Sequence, residues 1–265
     1  MIGDEPTGFG ASPSFFELVR AGGPVSAAPT SGGDPVRVEP PHGTTVLALK
    51  YTDGVVMAGD RRAVEGYTIA DRRMDKVFPT DDHSAVAIAG VAAQAIELVR
   101  LFQTELEHYE KVEGERLSLE GKANRLAQML RAWMPMVMQG LVVVPLFAGY
   151  DLRRGEGRIF RYDVIGGRYE ELEYHANGSG GTHAKGSMKK RFRVGLSRGD
   201  AIQVAVEGLL DASEEDTATG GPDPIRGIYP SVFVLTASGV DEVPVEEVKA
   251  AYEAVLQHRQ GEGGA

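Results

Sequence analysis

The sequence predicts a protein of mixed helices and strands on one large core, and three observations carry that expectation. Residues 44–51 and 54–59 are β-branched and aliphatic runs joined across Asp53-Gly54, a strong hairpin signal. Residues 91–111, 118–140 and 198–213 carry apolar positions at helical spacing. A chain of 265 residues that is 42% hydrophobic and 25% charged buries a large share of its unfolded surface and needs no staples.

Composition narrows the function classes. The formal net charge of -10 disfavours nucleic acid or an anionic membrane as main partner, because both select basic surfaces. With Cys 0, disulfides, thiolate catalysis and cysteine metal sites are excluded, and a reducing compartment is compatible. No apolar run is long enough to span a bilayer. The six histidines show no zinc-helix spacing, so no metal is expected.

The first 43 residues are dense in Gly, Pro, Ser and Ala and cannot bury enough apolar surface to fold alone. They lack a basic start followed by an apolar region, the first basic residue being Arg20, and so read as a cytoplasmic pro-segment or a tail rather than a signal peptide. Phe15-Phe16-Glu17-Leu18-Val19-Arg20 is either a short docking helix or part of a flexible tail.

At His42-Gly43-Thr44-Thr45 that composition gives way to strand-forming sequence. A threonine hydroxyl is a poor nucleophile until a base takes its proton. A threonine at a chain terminus carries such a base, its own α-amine, which titrates at about 7.7 to 8.0. The expectation is therefore removal of residues 1–43, with Thr44 Oγ attacking the uncrowded Gly43 carbonyl.

Folding 44–51 and 54–59 antiparallel brings Asp60 beside Thr44, although Gly-Asp-Arg-Arg alone also reads as a strand-end turn. Residues 66–70 and 74–78 read as a strand pair around Asp71-Arg72 that carries Lys76. Lys76 either faces solvent or turns inward against Asp60, where its positive field would lower the pKa of a neighbouring amine and hydroxyl. Thr44, Lys76 and Asp60 then form a self-consistent nucleophile-activating group.

Residues 84–90 read as a small-residue strand feeding the helix at 91–111, whose stripe is Ile96, Val99, Phe102 and Leu106. Gly90 at that junction either presents backbone N–H groups to an oxyanion or only makes a tight turn. The helix at 118–140 has the stripe Leu126, Met129, Leu130 and Trp133, with Pro135 kinking or ending it. Residues 141–150, 157–162 and 168–175 read as strands, and 177–181 is a glycine-rich loop before a helix at 182–192. That loop can cradle an anion but lacks the lysine and spacing of a P-loop, and Ser179 lacks a serine-hydrolase elbow. Lys185, Lys189, Lys190 and Arg191 form a basic patch, a solvated face or a docking site. The helix at 198–213, a loop at 214–222, strands at 229–237 and 240–243, a helix at 245–256 and a disordered end from Gly261 complete the chain.

Taken in order, Gly43-Thr44-Thr45-Val46, Gly-Asp-Arg-Arg (59–62), Asp-Lys-Val-Phe (75–78), Ile-Ala-Gly (88–90), Gly-Ser-Gly-Gly (178–181) and Asp-x-x-Thr-Gly (216–220) resemble proteasome β subunits, most of all the actinobacterial 20S type. The resemblance spans nearly everything from Thr44 to about residue 256. It implies an α+β fold, a four-layer αββα sandwich of the N-terminal nucleophile hydrolase kind with two antiparallel sheets between helix layers. It implies residues 1–43 as a propeptide removed autocatalytically at Gly43-Thr44, a catalytic domain over 44–260 and a tail over 261–265.

Carried over residue by residue, Thr44 is nucleophile and base, Asp60 and Lys76 orient it, and Gly90 N–H is the oxyanion donor. Ser179 and Asp216 support the terminal amine and the nucleophilic water, and Thr219 stands where many members have serine. The specificity pocket maps onto Ala63, Val64, Met74, Phe78, Ile88, Ala92 and Ile96, none charged, which implies cleavage after apolar residues. The resemblance further implies a cytoplasmic threonine endopeptidase without cofactors, in seven-membered β rings stacked with α-subunit rings. An ATP-driven unfoldase ring would feed it unfolded polypeptides carrying a ubiquitin-like tag, with no nucleic acid or membrane partner. Competing readings are a two-component protease ring, an N-terminal nucleophile amidase and a catalytically silent ring subunit. The pro-segment and the Gly-Ser-Gly-Gly loop argue against the first, and retention of Thr44, Asp60 and Lys76 argues against the last.

Overall fold

The computed structural model describes residues 43–262; residues 1–42, with the 15–20 island, and the end from residue 263 lie outside the described residues. Strand β1 (Thr45–Tyr51) turns at Asp53-Gly54 into β2 (Gly54–Gly59), in the antiparallel register Val46↔Gly59 to Tyr51↔Gly54. A small hairpin, β3 (Ala63–Glu65) and β4 (Thr68–Asp71), follows, then β5 (Val77–Asp81) and β6 (Ser84–Gly90). Helices α1 (Ala92–Glu113), α2 (Leu119–Ala132) and the short α3 (Met134–Val137) lead to β7 (Val143–Asp151), β8 (Glu156–Tyr162), β9 (Arg168–Glu171) and β10 (Tyr174–Gly178). The chain continues through α4 (Gly181–Arg191), α5 (Arg198–Glu215), β11 (Ser231–Thr236), β12 (Gly239–Glu242) and α6 (Val245–Glu262).

Two antiparallel sheets of five strands result, in the orders β10-β1-β2-β11-β12 and β5-β6-β7-β8-β9. Side-chain parity divides the core into layers, since successive residues of a strand point to opposite faces. Leu47, Leu49, Val56, Ala58, Val232 and Val234 pack outward against Met188, Ile202, Val206, Leu209 and Val248 of the helices. Their alternate neighbours Val46, Ala48, Val55, Met57, Phe233 and Leu235 turn inward onto Val77, Ala85, Ala87, Ala89, Leu146, Ala148 and Ile159 of the second sheet. The outer face of that sheet, with Val86, Ile88, Phe147 and Phe160, meets Leu98, Phe102, Leu126 and Leu130 of α1 and α2. Strands buried on both faces read as continuous apolar runs rather than alternating ones. The layers are therefore helices, sheet, sheet, helices, the αββα sandwich.

Three local expectations are corrected. Residues 66–70 and 74–78 do not pair with each other: β4 pairs with β3 across a turn at Gly66, whose φ is +55°, and β5 pairs with β6. Residues 168–175 are not one strand. The chain bends at Leu172-Glu173, with Leu172 exposed, so that β9 pairs with β8 while β10 crosses to the other sheet and pairs with β1. The last helix continues through Glu262 instead of ending at residue 256. Helix starts and stops follow local chemistry: Ser118 Oγ accepts from Gly121 N at 3.1 Å, and Trp133 separates α2 from α3, whose first turn holds Pro135.

Candidate active site

The register that pairs Val46 with Gly59 carries Asp60 past the end of β2, where its backbone N–H donates to Thr45 O at 3.0 Å. Asp60 is 1% exposed, and its carboxylate accepts four hydrogen bonds. Oδ1 takes Thr45 N–H at 2.8 Å and Lys76 Nζ at 2.7 Å; Oδ2 takes Arg62 N–H at 2.9 Å and Gly220 N–H at 2.8 Å. Lys76 turns inward, as the alternative to a solvent-facing lysine required, and also donates to Arg62 O at 2.6 Å. Its backbone is tied to the second sheet through Ile88 N–H to Lys76 O at 2.9 Å. Burial pushes the Lys76 ammonium below its ordinary value, and the Asp60 charge and hydrogen bond oppose that shift.

Thr44, 6% exposed, begins the first strand's ladder, with its carbonyl accepting from Ser179 N–H at 2.9 Å. It lines two cavities that share Gly90. The first is walled by Ala63, Met74, Lys76, Ile88, Ala92 and Ala95. The second is walled by Gly43, Ala89, Val144, Gly178 and Ser179. Of the pocket residues expected from sequence, Ala63, Met74, Ile88 and Ala92 are on the first wall, while Val64, Phe78 and Ile96 are not among its lining residues. Phe78 and Ile96 instead pack on the fringe of the core between α1, α2 and the second sheet, and Ala95, unnoticed in the sequence, takes a place on the wall. Gly90 has φ +123°, and a Cβ there would lie 2.1 Å from Val142 O, so backbone must approach backbone at this corner.

The third part of the site is the turn after α5. Asp216 closes that helix, its N–H donating to Ala212 O at 2.9 Å. Its Oδ2 accepts the hydroxyl protons of Ser179 and of Thr219, the latter at 2.6 Å, while Oδ1 accepts Ala218 N–H at 3.2 Å. Gly220, four residues on, reaches Asp60, so one turn holds both carboxylates. Sequence reasoning missed the Gly220 N–H and the Arg62 carbonyl, which are backbone groups without a side-chain signal, and the Thr45 hydroxyl, which read only as a strand former. A roomier groove of about 470 Å³ lies apart from this chemistry, between β5 and the α1–α2 turn, and is lined by Asp81, Lys122 and Arg116 among others.

A sandwich of two antiparallel sheets between helix layers, with a threonine at the head of an inner strand beside a buried aspartate and lysine, defines the N-terminal nucleophile hydrolase class. The family model described as "Proteasome subunit" matches residues 41–225. The chain belongs to the proteasome subunit family. It is similar to the "Proteasome subunit beta" of Acidimicrobium ferrooxidans, 52% identical over 250 residues that cover 93% of this chain and 91% of that one. It is 55% identical to the "Proteasome subunit beta" of Acidothermus cellulolyticus, covering 88% of this chain and 81% of that one. The protein of the same name from Frankia casuarinae is 50% identical, covering 95% and 92%.

Proposed function

We propose that this chain is a catalytic β subunit of a proteasome core, a threonine endopeptidase that activates itself by releasing residues 1–43. The observation that carries the reading is the Asp60 carboxylate, which links the backbone N–H next to Thr44 with the Lys76 ammonium, while Thr44 and Lys76 line one cavity.

Removal of the pro-segment leaves a free α-amine on Thr44. Thr44 Oγ attacks the scissile carbonyl carbon, its proton passes to that amine, and the oxyanion is held by Gly90 N–H. The C–N bond then breaks, the proton goes to the leaving amine, and an ester to Thr44 Oγ remains. Water hydrolyses that ester, returning the hydroxyl. Ser179 gives its hydroxyl proton to Asp216, so towards the Thr44 amine it offers only lone pairs, which orients the amine. Lys76 favours the alkoxide character of the attacking oxygen. For self-processing Thr44 Oγ attacks the Gly43 carbonyl while Thr44 N is still an amide, so a water and not the amine takes the hydroxyl proton. The Gly43–Thr44 C–N bond then breaks, its nitrogen takes up that proton and becomes the free amine, and water hydrolyses the Gly43 ester to release residues 1–43.

The apolar lining, Ala63, Met74, Ile88, Ala92 and Ala95, favours apolar residues before the cut. The subunit works in the cytoplasm in rings with α subunits and further β subunits, and degrades unfolded, tagged polypeptides fed by an ATP-driven unfoldase. The test is the intact mass of the chain co-expressed with an α partner. A new N-terminus at Thr44, absent from Thr44→Ala, is expected. An assembled, peptide-cleaving particle that retains residues 1–43 overturns the reading.

A further inference from the structure

The Thr45 side chain is wholly buried at the head of β1, between the two carboxylate clusters. Its Oγ1 accepts Gly180 N–H at 3.1 Å and lies 2.6 Å from Thr219 Oγ1. Proton directions along this line are fixed by chemistry. Asp216 Oδ2 is acceptor-only as a carboxylate, so the single Thr219 hydroxyl proton goes there, at 2.6 Å. Thr219 Oγ1 can then only accept on its Thr45 side, and the Thr45 proton must point at it. The result is one directed chain, Gly180 N–H to Thr45 O–H to Thr219 O–H to Asp216, with no step left to rotation.

Its surroundings are shaped to keep it so. A Cβ on Gly180 would sit 2.5 Å from Thr45 Oγ1 and 2.7 Å from Thr219 Oγ1, so only glycine lets the N–H come this close. Thr45 also ties the chain to the other carboxylate, because its backbone N–H donates to Asp60 Oδ1 at 2.8 Å. One residue thus holds Asp60 through its backbone and Asp216 through its hydroxyl. Asp216 in turn receives the Ser179 proton.

The geometry points to Thr45 as a positioning residue, whose hydroxyl sets the orientation of Thr219 and Asp216 and, through them, of Ser179 beside the nucleophile. This rests on the proposed peptidase reading. A methyl in place of the hydroxyl takes the donor away from Thr219 Oγ1 and leaves the buried Gly180 N–H without its acceptor, which lets the Thr219–Asp216–Ser179 arrangement drift, and misplacement of that order costs about 10- to 100-fold in rate.

The experiment uses full chains co-expressed with an α partner, with rates per matured subunit on a fluorogenic peptide ending in an apolar residue. Thr45→Val should lower kcat about 10- to 100-fold with KM within about twofold, and Thr45→Ser should restore it. Added to Thr219→Val, Thr45→Val should cost less than about threefold more, since the chain is already cut. Wild-type kcat in Thr45→Val, a Thr45→Ser variant as slow as Thr45→Val, or fully additive losses would each overturn the inference. If Thr45→Val does not mature, Thr45→Ser should mature and Thr45→Cys, a weak donor of similar size, should not; both or neither maturing counts against it. A cleaving wild type with an unaffected Thr45→Val faults the inference alone, whereas a wild type without threonine-dependent cleavage faults the proposed function and the inference with it.

Discussion

Lys76 Nζ and Asp60 Oδ1 stand 2.7 Å apart with side-chain exposures of 2% and 0%, one from the residue before β5 and the other from the residue after β2. The pair joins the two sheets at the edge where Thr44 sits. Breaking a buried pair by removing one partner costs about 3–5 kcal/mol, because a charge is left uncompensated. Lys76→Met leaves Asp60 with the N–H donors of Thr45, Arg62 and Gly220, whereas Asp60→Ala orphans those donors and leaves the ammonium with the Arg62 carbonyl but no countercharge from Asp60. Both variants should lose peptidase activity, and Asp60→Ala should lower the unfolding midpoint in urea further than Lys76→Met. The reverse order would show that the backbone donors matter less than the lysine.

Gly43 faces the side chain of Ala218: a Cβ on residue 43 would lie 1.7 Å from Ala218 Cβ and 3.0 Å from Ser179 Oγ. Gly43→Ala should therefore slow release of residues 1–43 at least tenfold, an effect of about 1.4 kcal/mol. Adding Ala218→Gly should recover part of that loss. Intact-mass time courses after assembly measure both.

The walls around Thr44 predict the substrate side chain. In a panel of fluorogenic peptides, those with apolar residues before the cut should be turned over fastest, and Met74→Glu should raise the relative rate for basic residues by supplying a carboxylate to the wall. A wild type that prefers acidic or basic residues would contradict this lining.

Stability should fall in acid through Asp81. Burial alone would raise its pKa, but the Lys122 ammonium, His83 N–H at 2.9 Å and Ser84 hydroxyl at 2.8 Å together hold it below the ordinary value. Between the folded and unfolded values the unfolded chain binds the extra proton. The stabilisation is therefore complete above about pH 4 and disappears as pH drops through the folded value. The gap in urea midpoint between wild type and Asp81→Asn should be wide at about pH 6 and narrow towards about pH 2.

Arg158, 2% exposed, donates to Glu170 through two nitrogens at 2.8 and 2.6 Å and to Asp151 at 3.0 Å, with its guanidinium 4.8 Å from the centre of the Phe160 ring. Arg158→Ala should destabilise by about 3–5 kcal/mol by leaving the carboxylates without their partner. Arg158→Lys should fall in between, since an ammonium cannot fork to two oxygens. Calorimetric unfolding of the full-length precursor would rank the three.

The residues that meet around Thr44 were legible from the chain wherever local pattern carried them. Apolar runs flanking Asp53-Gly54 pointed to the first hairpin, and antiparallel pairing about that short turn returns Asp60 to the neighbourhood of Thr44, with Val46 opposite Gly59. Ordered motifs identified the family and, with it, the sandwich.

Contacts between segments far apart in sequence were decided only by the tertiary structure. Residues 168–175 carry apolar side chains at Tyr169, Leu172 and Tyr174, which suit a strand locally without deciding between one strand and two, and only packing of two sheets sends β10 across to β1 and brings Ser179 to the Thr44 carbonyl. Lys76 and Arg158 look in sequence like any charged residue near a strand end; they are interior because folded neighbours supply carboxylates that solvate them in place of water. Thr45 shows the same limit: its hydroxyl gains a partner 174 positions away, at a distance set by how α5 and its turn pack on β1.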